Sequence, residues 1–215
     1  SNLSDMLSLD NGTIYISATE TALHCYLFQA MESFNARYPN VHFKILNNST
    51  KKSIHIVKEG NVDFAVVSAP FHIEKPLKKQ ILREYHDILI SGKRYSELKG
   101  KQLSINQLSK YPWISLTSEA ITRKFLNQYF EKNGLKFEPD IELATTDMIL
   151  PAVRHNLGIG FIPPEFAIDD LDSEEIFEIH VQETFPERNI TLIYDTEYPQ
   201  SIAAKEFLKF LSETT

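Results

Sequence analysis

The fold turns on Gly12-Thr13-Ile14-Tyr15-Ile16-Ser17-Ala18-Thr19-Glu20-Thr21-Ala22-Leu23. Ile14 and Ile16 alternate with Tyr15 and Ser17, and so near-continuous an apolar run suits a strand covered on both faces. Thr19 and Thr21 then both suit the N-cap of a following helix. A strand that enters a helix through hydroxyl residues leaves backbone N–H groups free at the helix start, where the dipole adds partial positive charge. Such a junction favours a carboxylate, phosphate or sulfate. The same threonines would also serve simply as caps.

Outward from this junction the grammar repeats. Leu23, Leu27, Ala30, Met31 and Phe34 recur at helical spacing through residues 22–37, and Tyr38-Pro39 ends the helix. Val41, Phe43 and Ile45 alternate as a strand. The polar turn Asn47-Asn48-Ser49-Thr50 can cap a second helix over 51–59, with Gly60 where a left-handed C-terminal residue is wanted. Residues 62–67 form a buried strand ending at Ser68. Strand, helix, strand, helix, strand at this spacing predicts parallel crossovers in a doubly wound sheet. Residues 71–80, with Lys75, Lys78 and Lys79, read as a solvated basic loop; 82–85 and 88–90 read as strands.

From Trp113 the pattern restarts after a short helix capped by Ser104. Residues 113–116 are a strand, and Thr117-Ser118 is again a hydroxyl pair before a helix marked by Ile121, Phe125, Leu126, Tyr129 and Phe130. Ile141 and Leu143 lie on a second strand. Thr145-Thr146-Asp147 opens another helix, and residues 159–162 form a third strand. Pro151 falls inside that last helix if it starts at Thr146, so the helix either kinks there or starts later. Residues 176–181 and 190–194 read as strands joined by a hairpin loop, and Ile202, Ala203, Phe207 and Leu211 mark a final amphipathic helix. The whole is an α/β chain of two Rossmann-like subdomains: 12–90 with 195–215, and 91–194, after a tag or linker remnant over 1–11. Two crossings, near 90–93 and 190–195, would form a hinge.

Composition narrows the function. A chain of 215 residues, 42% of them hydrophobic, can build one large or two small cores. A net charge of −7 argues against a nucleic-acid-binding surface, which needs clustered Lys and Arg. Cys25 is the only cysteine, which excludes an internal disulfide and a thiolate zinc cluster and reads as helix packing. No apolar run approaches a membrane span. The histidines form no metal-binding pair. The acidic run Asp169, Asp170, Asp172, Glu174, Glu175 lacks the glycine turn of a calcium loop and reads as a solvated loop. A P-loop, a dinucleotide-binding glycine motif and a hydrolase elbow are all missing. No catalytic, metal or cofactor site is therefore expected.

The chain resembles the effector-binding domain of LysR-type transcriptional regulators over residues 12–211. The resemblance is carried by Gly12-Thr13-Ile14-Tyr15-Ile16, by Phe34-Asn35-Ala36-Arg37-Tyr38-Pro39-Asn40-Val41 and by Glu59-Gly60-Asn61-Val62-Asp63-Phe64-Ala65-Val66. Leu157-Gly158-Ile159-Gly160-Phe161-Ile162-Pro163 and Ala203-Ala204-Lys205-Glu206-Phe207-Leu208 complete it in order. It implies a periplasmic-binding-protein-like fold of type 2, with a small effector bound in a cleft between the subdomains, as open α/β sheets bind beyond the carboxyl ends of their strands. By position the ligand residues would be Thr19, Thr21, Asn48, Ser49, Thr50 and Ser68, with Ser115, Thr117, Ser118, Thr145 and Thr146 across the cleft. Ile162 and Pro163 would supply apolar wall. Lys51 and Arg123 read as surface residues. Asn156 stands where the family often has glycine, and asparagine tolerates the left-handed conformation.

The resemblance further implies a cytoplasmic, non-enzymatic sensor that forms a homodimer, and a homotetramer at full length. The 22–37 helix of one subunit would lie near the 119–133 helix of the other. DNA would be contacted only through an N-terminal helix-turn-helix outside this chain, and no membrane would be involved. The alternative is a free solute-binding protein of a transport system, with an enzyme on a similar scaffold as a third reading.

Overall fold

The computed structural model describes residues 11–68 and 70–214. The remnant expected over residues 1–11 lies, apart from Asn11, outside them. The chain divides into two units, Ser1–Glu84 with Asn189–Thr215, and Tyr85–Arg188.

In the first unit β1 (Thr13–Ala18), β2 (His42–Asn47), β3 (Phe64–Ser68), β11 (Arg188–Asp195) and β4 (Leu77–Tyr85) form a five-stranded sheet in the order β2-β1-β3-β11-β4. β1 pairs in parallel with both β2 and β3, as the alternation of strands and helices required. Ile14, Ile16 and the run Phe64 to Val67 have no exposure at all. The helix over 20–37 follows β1 directly. It contains a π turn at Leu23–Leu27, and within that turn the Cys25 carbonyl accepts a hydrogen bond from Arg83 on β4. The Cys25 side chain is buried, as a packing residue should be. The second helix, Thr50–Lys58, ends at Gly60, whose φ is +74°. A Cβ at Gly60 would also stand 2.7 Å from the Tyr198 ring, so both backbone and space demand glycine.

The last helix, Ile202–Glu213, closes this unit with aromatic contacts. Phe207 is fully buried, its ring centroid 4.9 Å from Phe34, 5.3 Å from Phe43 and 6.0 Å from Phe64. One departure concerns residues 71–80. β4 begins at Leu77, so Lys78 and Lys79 lie exposed on an edge strand and not in a loop. Lysines are common on such edges because they discourage pairing with another chain.

The second unit holds a four-stranded sheet in the order β6 (Gln102–Leu103), β10 (Ile176–Val181), β5 (Ile88–Gly92), β9 (Gly160–Ile162). A parallel pair, β7 (Ile114–Leu116) and β8 (Ile141–Leu143), is joined to it by a Trp113–Ile159 bridge. Trp113 anchors the core, with ring centroids 5.2 Å from Phe130 and 5.6 Å from Phe137. Asn156 adopts φ 61°, so asparagine does take the left-handed position. Its side-chain oxygen accepts from the Arg94 N–H, and a Cβ on Gly92 would come within 2.5 Å of that oxygen.

Three expectations change here. The chain passes between units at 84/85 and 188/189, where periodicity placed the passages near 90–93 and 190–195. Ile88 to Ile90 bond to β9 in the second unit, and Ile190 to Ile193 bond to β3 in the first. For the same reason β10 and β11 are not a hairpin: they belong to different sheets, and residues 182–187 carry the chain between them. The acidic run is partly helical, over Ile168–Asp172, and the Asp170 carboxylate sits 3.0 Å from Arg154.

Replacing Phe207 by Ala should cost about 3–5 kcal/mol in a guanidinium unfolding curve, because it empties the aromatic centre of the first unit. A second expectation concerns Tyr129, whose hydroxyl donates to the Glu183 carbonyl at 3.1 Å. Burial, aided by the Glu183 charge, pushes its pKa from the ordinary 10.0 up to about 12. The neutral phenol is thus favoured in the folded state, and its contribution is intact below pH 10 and lost as pH rises toward 12. Absorbance at the tyrosinate band should include a phenol that titrates near pH 12, and Tyr129→Phe should remove that step.

Candidate functional site

Because β1 lies between two parallel partners, three strand ends open on the same edge of the first sheet. Thr19 stands at the first of these, with φ −79° and ψ 158°, and its hydroxyl accepts the Ala22 N–H at 3.2 Å. The same hydroxyl bonds to that of Ser68, at the end of β3, over 3.2 Å. Thr50, at the start of the second helix, donates its hydroxyl to the Ser68 carbonyl at 3.2 Å. Ser49 caps that helix by accepting the Lys52 N–H, also at 3.2 Å. Asn48 bonds through its N–H to the Ala18 carbonyl at 3.0 Å and through Nδ2 to the Ser17 hydroxyl at 3.1 Å. Thr21 is buried in the first helical turn. The structure therefore gathers Thr19, Asn48, Ser49, Thr50 and Ser68 at one edge, with Thr21 adjoining.

Both caps satisfy the third N–H of their helices. The first-turn N–H groups of Glu20 and Thr21, and of Thr50 and Lys51, have no backbone acceptor by helix geometry. Donors and positive dipole ends thus converge with hydroxyls at a place suited to an oxyanion. Behind this layer lies a pair the sequence reading missed. Ser17 and Ser53 are fully buried and share a hydroxyl bond of 2.8 Å. The signal available was a serine inside an apolar strand, where no cap or turn needs one.

The second unit is arranged differently. Ser115 on β7 is buried, and its hydroxyl has no hydrogen-bond partner among the described residues. Thr117 and Ser118 are exposed and do not cap the following helix. A turn closed by the Ala120 N–H to the Thr117 carbonyl intervenes, and Ile121–Lys132 starts with Ala120 at the N-cap and no side-chain bond. Thr145 donates to the Asp147 carboxylate at 2.6 Å. Thr146 is buried and opens a 3-10 turn, Thr146–Met148, ahead of the helix Ile149–Arg154. The later start is thus the one adopted. Pro151 is the third residue of that helix, where its missing N–H costs no intrahelical bond. Ile162 is wholly buried among Ile90, Ile114 and Ile149, as core.

Two arginines were underestimated. Arg123, read as a surface residue, is only 8% exposed. It donates to the Leu116 carbonyl at 2.9 Å, to Glu142 at 2.6 Å and to Asn127 at 3.1 Å, so its charge is already engaged. Arg188 was not singled out at all. Its guanidinium meets Asp87 at 2.9 Å with both side chains essentially unexposed. It also donates to Thr122 at 2.8 Å and lies 5.0 Å from the Phe125 ring. Asp87 and Arg188 stand where the chain enters and leaves the second unit. Among the described residues no group of His, Cys, Asp and Glu could hold a metal ion, and no helix is long and apolar enough to cross a membrane.

This architecture is that of the α/β domains of type 2 periplasmic-binding-protein-like fold. The chain belongs to the LysR substrate binding domain family, whose model matches residues 8–215. It is 24% identical to a probable RuBisCO transcriptional regulator of Cyanophora paradoxa, over 95% of this chain and 65% of that protein. It is 27% identical to the HTH-type transcriptional regulator CysB of Burkholderia cenocepacia, over 74% of this chain and 50% of that one. The chain thus spans half to two thirds of the length of these relatives. Among solved structures it resembles the CcmR regulatory domain of Synechocystis PCC6803 in complex with 2-PG, with TM-score 0.83 and 19% identity over 95% of this chain and 98% of that one. The effector binding domain of QuiR in complex with shikimate gives TM-score 0.80 and 16% identity, over 94% and 95% of the two chains.

Removing one partner of the Asp87–Arg188 pair, as in Asp87→Asn or Arg188→Met, should cost about 3–5 kcal/mol in equilibrium unfolding, because the remaining buried charge loses the opposite charge beside it. The double substitution Asp87→Leu with Arg188→Met should recover most of that loss.

Proposed function

We propose that this domain senses a small anionic metabolite and passes its presence to the rest of a LysR-type regulator. The observation that supports this is the group Thr19, Ser68, Thr50 and Asn48 at the strand ends of the first unit, beside two helix starts. Its gathered side chains are hydroxyls and an amide, which suit binding more than chemistry, and membership of a regulator family points the same way. Ser115, Thr117, Ser118, Thr145 and Thr146 are the candidates the second unit offers to the same effector. The QuiR and CcmR domains hold shikimate and 2-PG.

The mechanism is linkage. An effector that binds one arrangement of the protein better than another shifts the equilibrium by that difference in affinity. The reading includes a cytoplasmic homodimer, tetrameric at full length, in which the 22–37 helix of one subunit packs near the 119–133 helix of its partner. DNA is reached through an N-terminal helix-turn-helix. The transport alternative has no support from the relatives and structures named above.

Thermal unfolding against amino acids, organic acids, sulfur compounds, aromatic acids and sugar phosphates tests the sensor role. A ligand of the folded state stabilises by about 2.7 kcal/mol at a hundredfold excess over its dissociation constant. Thr19→Val should abolish the shift of any true effector, at a cost of about 1 kcal/mol from the lost cap. A shift untouched by Thr19→Val would move the site elsewhere, and binding of only neutral or cationic compounds would refute the anion reading. Sedimentation of the isolated domain should show a dimer; monomer alone at high concentration would refute the pairing.

A further inference from the structure

We infer that the effector carries its own hydrogen-bond donor, a hydroxyl or an ammonium, beside its acid group; this rests on the strand-end group of the first unit being the effector's site. Thr50 has one hydroxyl hydrogen, and it goes to the Ser68 carbonyl. Toward a ligand Thr50 Oγ1 can therefore act only as an acceptor. The Asn48 amide is held by its nitrogen, which donates to Ser17. Ser17 is in turn fixed by Ser53, and both are fully buried, so the anchor does not swing. An amide held by its nitrogen turns its oxygen the other way. Asn48 Oδ1 is then a second acceptor, on a half-buried side chain, with no side-chain donor to it among the described residues.

The donors are of a separate kind. Thr19 and Ser68 share one bond between two hydroxyls, and Thr19 already accepts the Ala22 N–H, so the pair retains one hydrogen to give. That hydrogen and the first-turn N–H groups suit an oxyanion. A bare oxyanion, however, brings only lone pairs to Asn48 Oδ1 and Thr50 Oγ1. Those acceptors would lose water and gain nothing, which is the costly side of hydrogen bonding. A hydroxy acid or an amino acid supplies the acceptor-facing hydrogen and the donor-facing oxygens together. The buried Ser53–Ser17–Asn48 chain thus sets ligand selectivity without itself touching the ligand through Ser53 or Ser17.

The test uses matched acids that differ by one hydroxyl: glycolate and acetate, lactate and propionate, malate and succinate, with sulfate as a bare oxyanion. Binding to the isotope-labelled domain is followed by amide chemical shifts up to tens of millimolar, where weak affinities are still measured. The hydroxylated member should bind about tenfold tighter in at least one pair, with shifts at Thr19, Asn48, Thr50 and Ser68. Asn48→Leu should erase that ratio by weakening the hydroxylated member more than the plain acid, a pattern that general loss of structure would not give. Ser17→Ala, which frees the amide to turn over, should narrow it, and Thr50→Val serves as a second acceptor variant. Equal binding within every pair, or a preference that survives both Asn48→Leu and Thr50→Val, overturns the inference and leaves the anion reading standing. Sulfate binding as tightly as the hydroxy acids does the same. No binding by any of these acids overturns the inference, while the anion reading is then decided by the wider thermal-unfolding panel.

Discussion

The parallel pairing of β1 with strands on both sides is the constraint from which the candidate site follows. In register, Thr13 to Ala18 lie against His42 to Asn47, and Ile16 to Ala18 lie against Phe64 to Val66. Parallel strands must end on the same edge, and the residues that follow them are then neighbours whatever their separation in sequence. Thr19 and Ser68 are 49 positions apart and share a hydroxyl bond. The apolar content of the strands is what enforces this. Ile14, Ile16 and the run Phe64 to Val67 are wholly buried, and a slip by one residue would turn the inward set of β1 outward. The polar edge is therefore held in place by an apolar interior that takes no part in binding.

Burial of polar groups marks the places where this protein departs from that economy. Ser17 and Ser53 sit inside the first unit at no exposure, bonded to each other, and Ser17 also accepts from the Asn48 amide. A satisfied buried pair of this kind contributes little net stability but fixes orientation. The Asp87–Arg188 pair does something comparable in the second unit. Replacing such a pair by apolar residues is often neutral, so its presence is better explained by geometry than by stability. It joins the residues just after the first passage between units and just before the second, and through Thr122 and Phe125 it ties both to the helix Ile121–Lys132. The two passages enter the second unit as one fastened element.

Local signals in the sequence specified the elements themselves. Alternating Ile14 and Ile16, the Leu23 to Phe34 spacing, Pro39, Gly60 and Asn156 each act over a few residues, and each took its expected conformation: strand, helix, helix stop and left-handed turn. Thr19 and Ser49 as caps belong to the same group, because a cap bond spans three residues. Legible signals failed where a local pattern had two outcomes. Thr117-Ser118 resembles a cap, yet a turn comes first, and Pro151 was decided by a helix start that periodicity does not fix.

What only the tertiary structure decided is everything that depends on partners far along the chain. Two apolar strands around residues 182–187 satisfy a hairpin and a passage between sheets equally well, and the choice lay with β5 and β3 as their pairing partners. Arg123 meets Glu142 across 19 positions and Arg188 meets Asp87 across 101, so neither arginine could be told from a solvated one by its neighbours. The sequence by itself determined two α/β halves, their element types and the hydroxyl residues at the strand ends, because hydrophobic period, capping and backbone freedom are short-range. Register, the burial of charge and the orientation of Asn48 came from folding, because each depends on which distant group is brought within hydrogen-bond reach.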